Sequence, residues 1–207
     1  MSLDSHLVDG IEEIGLAIPP ETRQRLIDYL TLLDKWNRVY NLTAVHEVEQ
    51  MVTQHLLDCL AVLPYVSGPR VLDVGSGGGL PGIPFAIVKP NWRLVLLDSN
   101  HKKATFLKQA CIELNIHNAE ASSERVEALA RQEQFDLIIS RAFSDLVEYT
   151  KLTKHLCKPG GVIAAMKGIY PYEELAALPK DVIVEKVMPI KVPGLTAERH
   201  LVLMKAA

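Results

Sequence analysis

Cysteine is scarce in this chain. Its three cysteines, Cys59, Cys111 and Cys157, are far apart and odd in number, and no Cys-x-x-Cys pair occurs. That spacing excludes a disulfide framework and a zinc knuckle, and leaves three reduced thiols in or near the core. No apolar run reaches the ~18 residues that a membrane-spanning helix needs. The start, Met1-Ser2-Leu3-Asp4, has no basic segment followed by an apolar one, so no secretory signal is read and a cytoplasmic location is expected. Excess charge is missing too. The net charge is −3 over 207 residues, whereas a dedicated nucleic-acid binder usually has a basic balance. Any surface for nucleic acid has to be a local patch. What the chain does have is apolar residues, 48% of it, enough for a buried core and too many for a disordered chain. The length fits one large domain, or a domain with a small appendage.

Residues 1–66 read as helical. Leu3, Leu7, Ile11, Ile14 and Leu16 recur near helical spacing, and Pro19-Pro20 ends that segment. Pro20 suits the first turn of a second helix, which carries Leu26, Ile27, Leu30, Leu33 and Trp36 on one face. Asn37 to Thr43 reads as a loop, and a third helix is predicted from about Glu47 to Leu63, closed by Pro64. The character then changes. Arg70 to Val74 is a short apolar run ending in glycines, as expected of a strand buried on both faces. Strand-like runs recur at Arg93–Leu97, near His117–Ala121, at Phe135–Ser140 and at Gly161–Met166, with helical segments such as His101–Leu114 and Leu146–Leu156 between them. That alternation predicts a parallel sheet with right-handed crossovers. Asp181–Val192 and His200–Lys205 are separated by the Pro193-Gly194 turn and no helix, so a terminal hairpin adds one antiparallel strand. The expected fold is α/β: a doubly wound, mostly parallel, seven-stranded sheet. Residues 1–66 form its N-terminal helical cap and 67–207 the Rossmann-like domain.

The main signal is Asp73-Val74-Gly75-Ser76-Gly77-Gly78-Gly79-Leu80-Pro81-Gly82, directly after the first strand. Glycines there let the backbone turn tightly and approach a ligand. Two registers are possible: Gly75-x-Gly77-x-Gly79, and Gly77-x-Gly79-x-x-Gly82, which also spells the dinucleotide fingerprint. Asp73 decides between them. A carboxylate at the mouth of the loop repels a pyrophosphate and attracts the ammonium of a methionine moiety. Asp98 ends the second strand, where a carboxylate accepts hydrogen bonds from ribose hydroxyls. Asp73, Gly75, Gly77 and Asp98 together favour S-adenosylmethionine over NAD, in the manner of a class I methyltransferase.

The methyl acceptor belongs at the carboxyl ends of the strands. The fourth strand ends in Ser140-Arg141-Ala142-Phe143, not in the Asn/Asp-Pro-Pro-aromatic motif common where exocyclic amines are methylated. Cys157 has no activating context for attack on a pyrimidine carbon. A ring nitrogen with a lone pair, such as guanine N7, needs positioning and little acid–base machinery. Arg141 suits recognition of guanine O6 and N7, or of a phosphate, and its alternative is an ion pair that orients the cofactor loop. Phe143 either stacks on a base or packs in the core. Basic residues cluster at Lys102, Lys103 and Lys108, at Lys151, Lys154 and Lys158, and at Arg199, His200 and Lys205. The first two read as solvated helix faces. Lys167, Arg199 and His200 are the candidates for RNA phosphates.

At this point the chain resembles a known family, the RsmG (glucose-inhibited division protein B) methyltransferases of guanine N7 in small-subunit ribosomal RNA. The matching stretches are Lys35-Trp36-Asn37, Tyr40-Asn41-Leu42-Thr43, His55-Leu56-Leu57-Asp58, Asp73 through Pro84 and Leu97-Asp98-Ser99. They continue with Arg125-Val126-Glu127, Ser140-Arg141-Ala142-Phe143, Met166-Lys167-Gly168 and Glu198-Arg199-His200-Leu201. The likeness runs from the cap to the last strand. It implies S-adenosylmethionine as donor, with contacts at Gly75, Leu80, Val126, Glu127 and Arg141, and the adenine resting at Val126-Glu127. Many relatives carry Pro or Ala where this chain has Gly78, which implies a more flexible loop here. The implied partner is small-subunit ribosomal RNA within a ribosomal particle; no membrane and no metal are expected, and a monomer is. The competing readings are a methyltransferase for a small molecule or protein, an NAD-dependent oxidoreductase using the later glycine register, and a cofactor-sensing module without catalysis.

Overall fold

A computed structural model of the protein describes residues 2–129, 134–141 and 143–206. Ala142 of the Ser140–Phe143 stretch, and the end residues Met1 and Ala207 of the two ranges assigned above, lie outside the described residues. The described residues form one sheet of seven strands: β1 Arg70–Val74, β2 Arg93–Leu97, β3 Ala119–Ser122, β4 Phe135–Arg141, β5 Cys157–Lys167, β6 Val182–Pro189 and β7 His200–Ala206. Their spatial order is β3-β2-β1-β4-β5-β7-β6. β1 to β5 run parallel, and β7 lies antiparallel between β5 and β6. The chain reverses its direction of travel across the sheet between β1 and β4, which makes the carboxyl ends of those strands the natural ligand crevice.

Side chains along β1 alternate between the two faces, as the strand period requires. Val71 joins Leu94, Leu96, Leu137 and Ile139 in a core shared with the cap residues Leu26, Leu33, Leu56 and Leu57. Leu72 and Val74 join Leu97, Ile138, Tyr149, Ile163 and Val202 on the opposite face. The core therefore crosses the 66/67 division, and the helices of the N-terminal segment cover one face of the sheet directly.

The cap departs from expectation in two places. α1 (Leu3–Ile14) is followed by α2 (Pro20–Tyr40), which continues through the segment read as a loop from Asn37. The Asn37 side chain faces inward instead of breaking the helix. Its amide donates to the Val45 carbonyl at 3.1 Å, and its Oδ1 accepts from the Thr43 N–H at 2.9 Å, so it stitches the following loop to the helix. The third helix is not one α-helix. α3 (Val48–Met51), a π-helical stretch (Val52–Leu57) and α4 (Asp58–Leu60) follow one another, ending in a 3₁₀ turn at Leu63–Tyr65. Single-turn π stretches occur frequently at functional sites, and this one carries His55. Further on come α5 (Gly82–Val88), α6 (His101–Glu113), α7 (Leu146–Thr153) and α8 (Tyr172–Ala176). Among the described residues no helix is long and apolar enough to cross a membrane.

Candidate active site

The glycine loop is set by backbone geometry. Gly75 has φ +72°, and a Cβ there would meet nothing within 4 Å, so the bare backbone faces open space at the end of β1. Its N–H and that of Ser76 both donate to the Leu97 carbonyl, at 2.8 and 3.0 Å, which ties the loop to the end of β2. Gly82 starts α5 above Asp73. A Cβ there would lie 2.3 Å from the Leu96 side chain and 2.7 Å from Asp73 Oδ2, so glycine is required for the helix to approach the strand.

Asp73 anchors this turn from below. Its Oδ2 accepts from Ser76 Oγ at 2.5 Å and from the Gly82 N–H at 2.9 Å. Its Oδ1 is buried without a partner among the described residues. Burial raises its pKa to about 6, against the opposing pull of the Ser76 and Gly82 hydrogen bonds. Asp98 is 8% exposed and sits at the opening. Its Oδ2 accepts from the Gly77 N–H and its Oδ1 from the Asn100 N–H, both at 2.9 Å. Each oxygen keeps a lone-pair direction for a further donor.

A cavity of about 250 Å³ opens beside this loop, lined by Gly75, Asp98, Arg125, Val126, Glu127 and Phe143 among others. It brings together four of the residues singled out from sequence: Gly75, Asp98, Val126 and Glu127. Val126 is buried in a short 3₁₀ turn, Val126–Ala128, and Glu127 is exposed at the rim. Phe143 packs on Tyr149 with ring centroids 5.0 Å apart while lining the cavity, so it serves core and site together. Asp73 and Leu80 are buried beneath the loop and do not form this wall. Gly77 enters through its bond to Asp98. Gly78, read as a point of flexibility, is pinned: the buried Tyr29 hydroxyl of α2 donates to its carbonyl at 2.6 Å.

Arg141, at the tip of β4, turns toward the cap. Its Nη1 donates to the Gln54 carbonyl at 3.0 Å and to Asp58 Oδ2 at 3.3 Å. Arg199 approaches the other side of the same carboxylate, with Nε 2.7 Å from Asp58 Oδ1. Asp58 has a side chain only 3% exposed, so two guanidinium groups share one buried anion. His55 completes the cluster, its Nδ1 3.5 Å from Arg141 Nη1 and its Nε2 2.8 Å from Thr43 Oγ1. Burial, and after it the Arg141 charge, lowers the His55 pKa to about 4, so this imidazole is neutral at pH 7. The sequence reading gave His55 and Asp58 no role. A carboxylate inside the apolar run Leu56-Leu57-Asp58-Cys59-Leu60 was the available signal, because a buried anion has to find a cation.

The basic residues divide sharply. Lys167 does not face solvent. Its Nζ meets Glu174 Oε1 at 2.7 Å and donates to the Phe143 carbonyl at 3.2 Å, which holds the segment bearing Phe143 against α8. Lys167 was expected to meet RNA phosphates; in this placement Glu174 offsets its charge. His200 Nδ1 donates to the Gly168 carbonyl at 2.8 Å. Lys154 and Lys158 pair with Asp181 and Asp136, and Lys205 pairs with Glu185 at 2.6 Å. The thiols are inert in character: Cys59 is fully buried, and burial raises the Cys157 pKa to about 11.

A family model described as rRNA small subunit methyltransferase G matches residues 22–202, from the cap to β7. The chain belongs to that family. The Ribosomal RNA small subunit methyltransferase G of Laribacter hongkongensis is 59% identical over 98% of this chain and 98% of its own length. The protein of the same name from Neisseria meningitidis serogroup B is 49% identical over 99% of both. Among solved structures, the O-methyltransferase TomG from Streptomyces achromogenes, in complex with SAM, has a TM-score of 0.59 at 19% identity and covers 100% of this chain and 99% of its own. A SAM dependent methyltransferase from Aquifex aeolicus has a TM-score of 0.58 at 19% identity, covering 73% of this chain and 91% of its own. These two likenesses show the fold, that of class I methyltransferases. As a family member the chain is a methyltransferase whose donor is S-adenosylmethionine. The residues present fit that group: a carboxylate at the cavity mouth, a bare glycine backbone beside it and a buried, unpartnered carboxylate oxygen behind the loop.

Proposed function

We propose that the protein methylates N7 of a guanosine in small-subunit ribosomal RNA, acts on a ribosomal particle and works as a monomer. What supports this reading is a cavity lined by Gly75, Asp98, Val126 and Glu127, together with Arg141 and Arg199 paired through Asp58, in a chain matched by the family model through both regions.

When bound, S-adenosylmethionine supplies a methyl group made electrophilic by its sulfonium. Asp98 would hold the ribose hydroxyls, Val126 and Glu127 the adenine, and Gly75 the methionine end, while buried Asp73 sets the loop and places negative potential behind it. Arg141 and the residues around it position the guanine. The N7 lone pair takes the methyl without losing a proton, so no base is required. The surroundings of Arg141 agree with that economy. His55, the imidazole beside it, is 3% exposed, bonded to Thr43 and a weak base.

The test is methyl transfer from labelled S-adenosylmethionine to small ribosomal subunits from cells lacking this gene, with wild-type subunits and protein-free RNA alongside. Label confined to unmodified subunits or their RNA, and mapping to a guanine N7, is the expected result. Cofactor binding without transfer to any of them would point instead to a small-molecule or protein acceptor.

A further inference from the structure

A groove of about 750 Å³, wider than the cavity beside the glycine loop, lies between the segment after β5 and the β6–β7 connection, and Ile169, Tyr170, Tyr172, Lys191, Arg199 and His200 line it. Two of its side chains are unusually bare for their size: Ile169 is 78% exposed and Tyr172 74%. Exposed apolar side chains grouped at one place mark a binding surface more often than singly scattered ones do. Here they are also ordered. The Tyr170 and Tyr172 rings lie with centroids 4.3 Å apart, and Tyr170 meets the His200 ring edge-on at 5.5 Å. His200 is fixed in turn by its bond to the Gly168 carbonyl. The result is a braced aromatic cluster, its two tyrosine rings inclined by 38°, whose outer ring, Tyr172, is largely exposed.

The charges around the stack suit a phosphate chain. Lys191 is 84% exposed and its pairing with Glu13 is a surface contact of small worth, readily exchanged for a phosphate. Arg199 borders the groove while its Nε holds Asp58, so the groove is joined to Arg141 through one carboxylate. Glu198 is the acid in the groove lining. The groove also starts where β5 ends, at the carboxyl edge that carries Arg141 in register with Met166.

Resting on the function proposed above, we infer that this groove holds a single-stranded stretch of the ribosomal RNA flanking the target guanosine, with one base stacked on Tyr172. Recognition of unpaired RNA relies on such stacking, because every base presents a π face and aromatic rings tolerate any of them. The backbone of the same stretch passes Lys191 and Arg199, and the neighbouring guanosine reaches the tip of β4. A ribosomal protein side chain is the rival occupant, and it would not need the stack.

The experiment uses the full-length chain and small subunits from cells lacking the gene. Tyr172→Ala should raise KM for the subunit about tenfold, the loss of one stacked base, with kcat and S-adenosylmethionine affinity within about twofold of wild type. Tyr172→Phe keeps the ring and should recover most of the loss. Ile112→Ala, an exposed residue on α6 at 69%, serves as the surface control. Ultraviolet crosslinking of the unaltered protein should yield a nucleotide adduct on the peptide carrying Tyr170 and Tyr172. An unchanged KM in both Tyr172→Ala and the Tyr170→Ala/Tyr172→Ala double variant, or a crosslink to a ribosomal protein in place of RNA, overturns the proposal. Failure of the unaltered protein to methylate the subunits is a different result, seen without any variant, and it removes the functional reading on which this one rests.

Discussion

The two sides of the carboxyl edge are built by different means. On the side proposed to hold the cofactor, β1, the glycine loop and β2 are held by backbone groups and by carboxylates close in sequence: Asp73 reaches Ser76 and Gly82, and Asp98 reaches Asn100 and Gly77. On the side proposed to face the acceptor, Asp58 binds Arg141 and Arg199, which lie 83 and 141 residues further on. One side is a local turn that brings its own geometry. The other exists only when the cap, β4 and the end of the β6–β7 connection have all assembled. Mutation should therefore act mainly on ligand affinity in the first and on stability and turnover together in the second.

Asp58→Ala is the strongest way to break the acceptor side. Removing one partner of a buried ion pair leaves the other charge uncompensated and costs about 3–5 kcal/mol. Arg141 and Arg199 have side chains 23% and 27% exposed, so water relieves part of this and the low end, about 3 kcal/mol, is expected. For a domain of this size that lowers Tm by about 6–12 °C. A melting scan measures it. A shift below 2 °C would mean that the shared carboxylate is not a structural joint.

Asp73 should show the reverse behaviour, a group that weakens the cofactor-free fold. Its folded pKa is about 6, above the ordinary 3.8. Below pH 4 the carboxyl is protonated in both states and the group is neutral toward stability. Between pH 4 and 6 the folded state keeps a proton that the unfolded state has released, so stability falls as pH rises. Above 6 the full effect is present, on the order of 3 kcal/mol. Asp73→Asn can keep the acceptor facing Ser76 and Gly82 while removing the charge. Its stability advantage over wild type should grow by about 2–3 kcal/mol from pH 4 to pH 8 in urea titrations of the cofactor-free protein. Its affinity for S-adenosylmethionine should fall. A flat difference across that pH range would show that the carboxyl is not carrying a buried charge.

Arg141→Ala separates catalysis from binding on the acceptor side. Loss of positioning at a reacting centre typically costs about a hundredfold in rate. Methylation of small subunits should fall by about that factor, with subunit binding weakened far less. Full turnover in the variant would remove Arg141 from the acceptor site.

This contrast also explains what the sequence made legible. β1 and β2 fall on the expected residues, and β4 within one, because an apolar run closed by a glycine cluster or an acid marks a buried parallel strand locally. β5 begins at Cys157, ahead of Gly161, because Lys158-Pro159-Gly160 lacks the apolar signal while Cys157 still pairs with Phe135 before the register shifts. Asp98 and Gly75 could be placed from motif spacing alone. Val126 and Glu127 could not, since a short 3₁₀ turn has no pattern to read, and only the family likeness pointed to them. The hydroxyl of Tyr29 on Gly78, the ion cluster at Asp58 and the stack at Tyr172 were all missed. The first two depend on elements that are far apart in sequence, and the third on His200 bracing a local pair of tyrosines, and no local period records such a meeting. Lys167 shows the same limit from the other side: its charge was read, but its partner Glu174 on the unforeseen α8 was not.

Asp98→Ala is the milder test of the cofactor side, and it asks whether a local turn can lose a strut and stand. The substitution removes acceptors for the Gly77 and Asn100 N–H groups, but both lie near the surface, where water replaces them at little cost. Stability should change by no more than about 1 kcal/mol. Cofactor affinity should change more, because charge-assisted bonds to ribose hydroxyls contribute about 1.5–3 kcal/mol, at least tenfold in Kd. Asp98→Asn retains one acceptor and should lie between. Calorimetry with S-adenosylmethionine gives the affinities, and a melt of the cofactor-free variants gives the stabilities. If Asp98→Ala binds as wild type does, Asp98 is only a loop strut. If instead it melts as far below wild type as Asp58→Ala, the division between a local cofactor side and an assembled acceptor side is wrong, because the glycine loop would then depend on its acid as strongly as the cap depends on its own.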